Sequence, residues 1–178
     1  YIEIQKLLKN DNKVLFIGLP CHVAGLLNFL DNKYSKNLYT IDLICHGTPS
    51  KNLLIRYLND NNVDLKFSVN LKFRIKNKFR IFVNDNPVQN TKLLDSYMFT
   101  FLRGMNYTYN CYTCTYAGED RISDITLGDS WGSDLDENEK KLGISLALCQ
   151  TKKGKQLLEE SNLNLFSVNK NIAKQNNK

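Results

Sequence analysis

Two cysteines three positions apart are the part of this sequence whose spacing most clearly predicts chemistry. Cys111 and Cys114 lie in the stretch Asn110-Cys111-Tyr112-Thr113-Cys114, and two thiolates at this spacing can bind one edge of a metal ion or cluster. They cannot complete such a site alone, because zinc and iron–sulfur sites use about four ligands. The chain has three further cysteines, Cys21, Cys45 and Cys149. The functional question is therefore which of them join the pair.

The composition indicates a folded protein that keeps its thiols reduced. The chain has 178 residues, of which 42% are apolar, so it can bury a core. Five cysteines are an odd number and follow no extracellular framework, so thiols that bind a metal or cluster are favoured over disulfides. The sequence contains no apolar run of about 18 residues and no visible leader. We therefore expect a cytoplasmic protein without a membrane span, and its opening inside a helix predicts a fragment of a longer chain.

The net charge of +6 has two interpretations. It favours an acidic partner, such as a small electron carrier or a phosphorylated cofactor, or it is only a solvated lysine surface. The basic residues concentrate in 71–83, where apolar and basic side chains alternate on both arms of a predicted hairpin. This basic face is either a docking surface or a lysine-protected edge strand. Nucleic acid is not expected as a partner, because no aromatic side chain interleaves with the basic face.

Two strand–turn–helix patterns are predicted to position Cys21 and Cys45. Residues 14–17 are apolar and lead into Gly18-Leu19-Pro20-Cys21, and residues 40–44 lead into Cys45-His46-Gly47. Apolar strands alternating with amphipathic helices predict a parallel sheet, with strand 14–17 buried on both faces. Both turns would then lie at the carboxyl edge of the sheet, where open α/β folds bind their ligands. Each cysteine also has a simpler interpretation, as a small buried hydrophobe.

The predicted fold class is α/β. We expect a parallel or mixed sheet flanked by helices, an antiparallel basic hairpin and a cysteine-rich loop. The sequence predicts a single domain over 1–168, in which 163–168 form a last strand and 91–103 a helix, and a frayed tail over 169–178.

Four motifs together resemble the C-terminal domain of the coenzyme F420 hydrogenase/dehydrogenase beta-subunit family. They occur in order. Together with the similar segments Gly143-Ile144-Ser145-Leu146-Ala147-Leu148 and Lys153-Gly154-Lys155, they span most of residues 14–155. The motifs are Gly18-Leu19-Pro20-Cys21-His22, Asp42-Leu43-Ile44-Cys45-His46-Gly47-Thr48-Pro49, Cys111-x-x-Cys114-x-Tyr116-Ala117 and Ser123-Asp124-Ile125-Thr126-Leu127-Gly128-Asp129-Ser130-Trp131-Gly132.

The resemblance implies an iron–sulfur flavoprotein oxidoreductase. Electrons would pass between an upstream or separate ferredoxin-type carrier and an organic acceptor, either a deazaflavin or an unknown compound. The four cysteines at motif positions, Cys21, Cys45, Cys111 and Cys114, would then bind one 4Fe-4S cluster, while Cys149 matches no motif and is expected to be structural.

The resemblance also implies a flavin, expected to be FAD, held at the glycine-rich turns. Glycines and helix N-termini there would admit its pyrophosphate or ring edge, and an arginine would pair with its negative charge. The residues predicted to contact it are Gly18, Pro20, Gly47, Arg121, Gly128 and Asp129, and each has a purely structural role as its alternative. The sequence singles out no catalytic residue. Two other functions remain open: a zinc-stabilised binding or scaffold domain, and a degenerate partner subunit.

Overall fold

The computed structural model describes residues 1–31, 33–34, 36–64, 66, 70–75, 78–90 and 94–176. These residues form two compact units. The first contains Tyr1–Cys45 and Tyr116–Lys178, and the second is the intervening segment His46–Thr115. The sequence-based assignment of one domain to residues 1–168 stays a prediction.

Helices and strands alternate along much of the chain. The helices are α1 Ile2–Lys9, α2 Pro20–Leu30, α3 Lys51–Asp60, α4 Ser96–Leu102, α5 Tyr109–Tyr112, α6 Glu137–Leu142, α7 Lys152–Glu159 and α8 Lys170–Asn176. The strands are β1 Val14–Gly18, β2 Leu38–Leu43, β3 Leu71–Ile75, β4 Lys78–Val83, β5 Asn86–Pro87, β6 Ile125–Asp129 and β7 Ser145–Cys149.

The first unit contains a mixed sheet with strand order β1-β2-β6-β7. Strand β2 pairs in parallel with both β1 and β6, and β7 pairs antiparallel with β6. The register aligns Gly18 with Asp42 and Asp42 with Thr126. Pro20 occupies the first turn of α2, where its missing N–H has no intrahelical partner to lose. The predicted mixed sheet and the helix after its first strand are therefore confirmed.

One face of the sheet packs on α1 and α2. Leu8 and Leu26 from these helices form a core cluster with Leu38, and Val14 and Phe16 pack against that cluster. The prediction that strand 14–17 is buried on both faces is wrong for the part of the chain that the structure describes. Leu15 is 51% exposed, because β1 is an edge strand and the two helices cover only the face that carries Val14 and Phe16.

The second unit contains an antiparallel sheet with order β3-β4-β5. Residues of α3, β4 and α4 form its core, among them Tyr57, Ile81 and Met98. Asp95 joins two of these elements, since its carboxylate accepts from Met98 N at the start of α4 and from Ile81 N in β4. The predicted hairpin is confirmed.

Two details of the second unit lie partly beyond the described residues. The sequence predicts the turn of the hairpin at residues 77–78. Residue 77 lies outside the described residues, and Lys78 is the first residue of β4. The helix predicted from residue 91 is observed from Ser96, and residues 91–93 also lie outside the described part. A bulge between Lys72 and Arg74 interrupts the expected alternation, so Phe73 is 44% exposed.

The end of the chain differs from the sequence-based prediction. Residues 163–168 form no strand, and their apolar side chains are exposed, as for Leu163 and Phe166. Residues 170–176, expected to fray, form α8 with Ala173 buried, and residues 177 and 178 lie outside the described part. Among the described residues, no helix has the length and apolar character needed to cross a membrane.

Candidate functional site

Cys21 and Cys45 follow the ends of two neighbouring parallel strands. Cys21 comes three residues after Gly18, and Cys45 comes three residues after Asp42; Gly18 and Asp42 are paired in register. Both cysteines therefore lie at the same edge of the sheet. Cys21 lies in the first turn of α2 and is exposed, and Cys45 is half-buried. Both are free thiols. The prediction that these two turns share the carboxyl edge of a parallel sheet is confirmed.

Cys111 and Cys114 lie together in the second unit, at the short helix α5. The Thr108 hydroxyl is 3.4 Å from Cys111 Sγ. This contact lowers the pKa of the Cys111 thiol, and hydrogen bonding to Thr48 lowers it further. A lowered thiol pKa favours the thiolate, which is the form that binds metals and reacts with electrophiles. Cys111 is therefore suited to act as a ligand or nucleophile.

Each unit contributes two of the four motif cysteines, so neither contains a four-thiolate set of its own. Within the described ranges, no three His, Cys, Asp or Glu residues are grouped so that they could hold a metal ion. The assignment of Cys21, Cys45, Cys111 and Cys114 to one cluster stays a prediction.

Cys149 differs chemically from Cys111. It is the last residue of β7, and burial together with the nearby Glu159 carboxylate raises the pKa of its thiol, with Lys155 acting in the opposite direction. A raised pKa disfavours the thiolate.

Both histidines lie beside glycines of the predicted site. The His46 ring packs edge-on against Phe101 and Tyr107, with centroid distances of 5.1 and 5.5 Å. Its Nε2 lies 3.2 Å from the Phe101 carbonyl oxygen. His22 lies over Gly18, and its Cβ would be 3.3 Å from a Cβ built there. Both histidines therefore take part in packing within the protein.

The chain's own side chains occupy the space beside three glycines predicted to contact flavin. A Cβ on Gly128 would meet Ile44 Cδ1 at 2.5 Å, and one on Gly47 would meet the Tyr107 ring at 2.9 Å. A Cβ on Gly18 would meet the Phe16 ring at 3.1 Å. Packing alone therefore explains why these positions lack side chains. Their role in cofactor binding stays a prediction.

The other residues predicted to contact a cofactor lie in the first unit and differ in exposure. Pro20 is buried at the start of α2, and Asp129 is exposed at the end of β6. Arg121 is half-buried in the loop before β6. Its Nε donates to the Gly118 carbonyl at 2.7 Å, whereas its Nη1 is buried without a hydrogen-bond partner in the described part of the chain.

Arg121 lines a cavity of about 700 Å³ in the first unit. Its lining includes Thr126, Leu146 and Leu148 of the sheet and residues of the C-terminal segment between Phe166 and Ala173. The volume lies within the range of roughly 300–1,000 Å³ that small-molecule sites occupy.

Sequence reasoning missed one polar residue at the sheet edge. Asp42 is fully buried, yet neither of its carboxylate oxygens has a hydrogen-bond partner among the described residues. Buried polar groups without partners are rare in folded proteins. The signal was available in the sequence, because an aspartate interrupts the otherwise apolar end of strand Leu38–Leu43.

The basic hairpin carries cations that already have partners. Lys72 Nζ contacts an Asp85 carboxylate oxygen at 2.5 Å, and the Arg74 guanidinium lies 4.6 Å from the centroid of the Phe79 ring. The docking and edge-protection interpretations of this face both remain predictions.

These features define an α/β protein with free thiols at the carboxyl edge of a mixed sheet and a second thiol pair at a short helix. Residues 11–172 match the family model for the C terminus of the coenzyme F420 hydrogenase/dehydrogenase beta subunit. The chain belongs to that family, whose name is that of an oxidoreductase subunit. No curated protein gives a significant match.

Proposed function

We propose that this chain is an electron-transfer module of an iron–sulfur flavoprotein oxidoreductase. The observation that carries the proposal is the placement of Cys21 and Cys45 after adjacent parallel strands, in a family member that also has a CxxC pair. The lowered pKa of the Cys111 thiol supports it, because thiolates are the ligands of iron–sulfur clusters.

The residues present fit both expected groups in part. Cys21, Cys45, Cys111 and Cys114 would supply the four thiolates that a 4Fe-4S cluster requires. For FAD, Arg121 is a predicted contact whose Nη1 has no hydrogen-bond partner within the described ranges. The remaining proposed contacts are Gly18, Pro20, Gly47, Gly128 and Asp129. When bound, the cluster supplies single-electron transfer and the flavin couples it to two-electron chemistry.

The proposed partners are a ferredoxin-type electron carrier, upstream in the same chain or separate, and an organic acceptor such as a deazaflavin. The charge of +6 suits an acidic carrier, because complementary charge speeds association. In this proposal the hairpin of β3 and β4 is the surface that receives it.

Anaerobic reconstitution with iron and sulfide tests the cluster. The wild-type protein should become brown and contain about four irons per chain. Cys114→Ser should abolish iron incorporation, and Cys149→Ser, the matched control, should leave it unchanged. Equal loss of iron in both variants would refute the ligand assignment.

One observation favours a second candidate, a zinc-stabilised scaffold or degenerate partner subunit. Side chains of the protein itself fill the space beside Gly18, Gly47 and Gly128, which a domain without flavin would permit. Zinc binds four thiolates equally well. A colourless protein from anaerobic purification that carries one zinc per chain, and no flavin after reconstitution, would establish this candidate in place of the redox module.

A further inference from the structure

One edge of the mixed sheet is strand β1, which exposes two apolar side chains. β1 ends the strand order β1-β2-β6-β7, and Leu15 and Ile17 are 51% and 55% exposed. Both lie on the face opposite to α1 and α2, because Val14 and Phe16 occupy the face that these helices cover. We propose that β1 pairs antiparallel with β1 of a second copy of this chain. This inference goes beyond the proposed function, because it requires neither a cluster nor a flavin.

The backbone of β1 is suited to receive another strand on its open side. Val14 N donates to Asn37 O just before β2, so alternate residues of β1, starting at Val14, direct their backbone groups toward β2. The N–H and C=O groups of Leu15 and Ile17 therefore point away from the sheet. Within the described part of the chain, no backbone group is bonded to them. Such an edge is a template for pairing with another strand.

A second copy of β1 fits this edge in a register centred on Phe16. With Phe16 on the two-fold axis, Leu15 lies opposite Ile17 of the second copy, and Ile17 lies opposite Leu15 of the second copy. The outward backbone groups then face each other, so each pair exchanges both of its backbone hydrogen bonds. The same register forms apolar cross-strand pairs on the exposed face. The edge is therefore complementary to itself.

The sequence of β1 carries no charge that would keep two copies apart. None of the residues Val14–Gly18 is charged. By contrast β3, the edge of the other sheet, carries Lys72 and Arg74 with a bulge between them, and both features oppose edge pairing. Lys13 precedes β1 and would lie opposite Leu19 of the second copy, so the proposed register places no like charges opposite each other.

The dimer should be weak, because the contact surface is small. One short strand and two exposed apolar side chains from each copy cover less area than the roughly 1,600 Å² of a standard interface. We expect a dissociation constant on the order of 100 µM. Concentration is therefore the variable that reveals the dimer.

Sedimentation velocity of the full chain from about 5 µM to about 1 mM measures this association. The wild type should pass from monomer to dimer across the range. Ile17→Lys should raise the dissociation constant at least about tenfold, because a charge on an edge strand opposes pairing. Leu142→Lys is the matched control, since Leu142 is 83% exposed at the end of α6, and it should leave the dissociation constant unchanged.

Disulfide trapping tests the register and does not depend on whether Ile17→Lys folds. Leu15→Cys and Ile17→Cys are each prepared in a Cys21→Ser background and oxidised alone or mixed. In the mixture the Cα atoms of the two new cysteines would lie about 5.5 Å apart, whereas identical cysteines would lie about 9 Å apart, beyond the reach of a disulfide. The mixture should form disulfide dimers about tenfold faster than either variant alone, and the Cys21→Ser parent gives the background rate.

Three results would overturn the inference: a wild type that stays monomeric at about 1 mM, equal dissociation constants for Ile17→Lys and Leu142→Lys, or a mixture that cross-links no faster than the separate variants. None of these measurements depends on iron incorporation. Failure of this inference is thus distinguishable from failure of the redox proposal.

Discussion

Asp124 and Asp42 are both buried in the first unit but differ in their partners. Asp124 Oδ2 accepts from Thr40 N at 2.9 Å and lies 3.1 Å from Lys153 Nζ, and Oδ1 accepts from the Thr151 hydroxyl at 2.7 Å. Asp42 has no such partners in the described part of the chain. A buried carboxylate stabilises a fold only when donors replace the water that it loses. Asp124 therefore stabilises the fold, whereas burial of the Asp42 carboxylate lowers its stability.

This difference predicts opposite effects of the same substitution. Asp124→Asn should lower the free energy of unfolding by about 3 kcal/mol, because an amide nitrogen would face donors and the negative charge that pairs with Lys153 would be lost. Asp42→Asn should leave stability unchanged or raise it. Urea denaturation of both variants measures the difference, and equal destabilisation would contradict this account.

Cys149 should show a pH dependence that its surroundings control. Since burial and Glu159 raise the pKa of its thiol, the thiolate is scarce at neutral pH, and alkylation by iodoacetamide should accelerate only at higher pH than for an unperturbed cysteine. Glu159→Gln removes one of the two causes, so alkylation at pH 8 should become faster. Mass spectrometry of the Cys149 peptide gives the rates.

Glu160→Gln is the matched control for that measurement, because it removes the neighbouring charge, which is not among the causes of the shift. An equal acceleration in both variants would mean that the general charge of α7, and not Glu159, sets the pKa.

Helix α7 packs closely on the strand region beside it. A Cβ on Gly154 would overlap the Asp124 carbonyl oxygen and come within 3.0 Å of Ile125 Cγ1. The sequence contains Lys153-Gly154-Lys155, but it does not reveal why the helix needs a glycine, because the contact is with a residue 30 positions away in the chain (154 − 124). Close helix–strand approach is a tertiary requirement that local patterns cannot predict.

Gly154→Ala should destabilise the protein although alanine is the better helix former. Alanine gains about 1 kcal/mol from helix propensity, whereas forcing the helix away from backbone atoms costs more, so we expect a net loss of about 2 kcal/mol. Gly118→Ala is the control, since a Cβ there meets nothing within 4 Å, and it should change the melting temperature little. If Gly154→Ala were stabilising, the packing of α7 would have to be looser than described.

At the scale of the whole molecule, local patterns predicted much of the fold and long-range pairing limited the rest. The apolar runs and the Gly-x-Pro turn predicted β1, β2 and α2, because each depends on neighbours in sequence. The strand order, the exposed face of β1 and the Asp124 network depend on partners far along the chain. Of the site, the motif cysteines could be chosen from the sequence. Coordinates were needed to show that Arg121 Nη1 and the Asp42 carboxylate have no hydrogen-bond partner among the described residues.

Metal binding should be visible as a change in the stability of the whole chain. A ligand that binds only the folded state raises its apparent stability, so Zn²⁺ added to metal-free protein should raise the melting temperature of the wild type and of Cys149→Ser. Cys114→Ser should respond much less, and a chelator should reverse the shift. A wild type that does not respond to Zn²⁺ would argue against a four-thiolate site.

The pairing of β2 with β6 also has a consequence for how the protein folds. Thr40 and Asp124 are 84 positions apart in the chain. Closing this long loop costs conformational entropy, which the contacts between β2 and β6 offset only after β6 has formed. Substitutions that weaken this pair should therefore speed unfolding more than they slow folding. On the ribosome, β2 emerges about 80 residues before β6 and has an unpaired edge until β6 follows, so chaperone dependence during synthesis is an expected property of this topology.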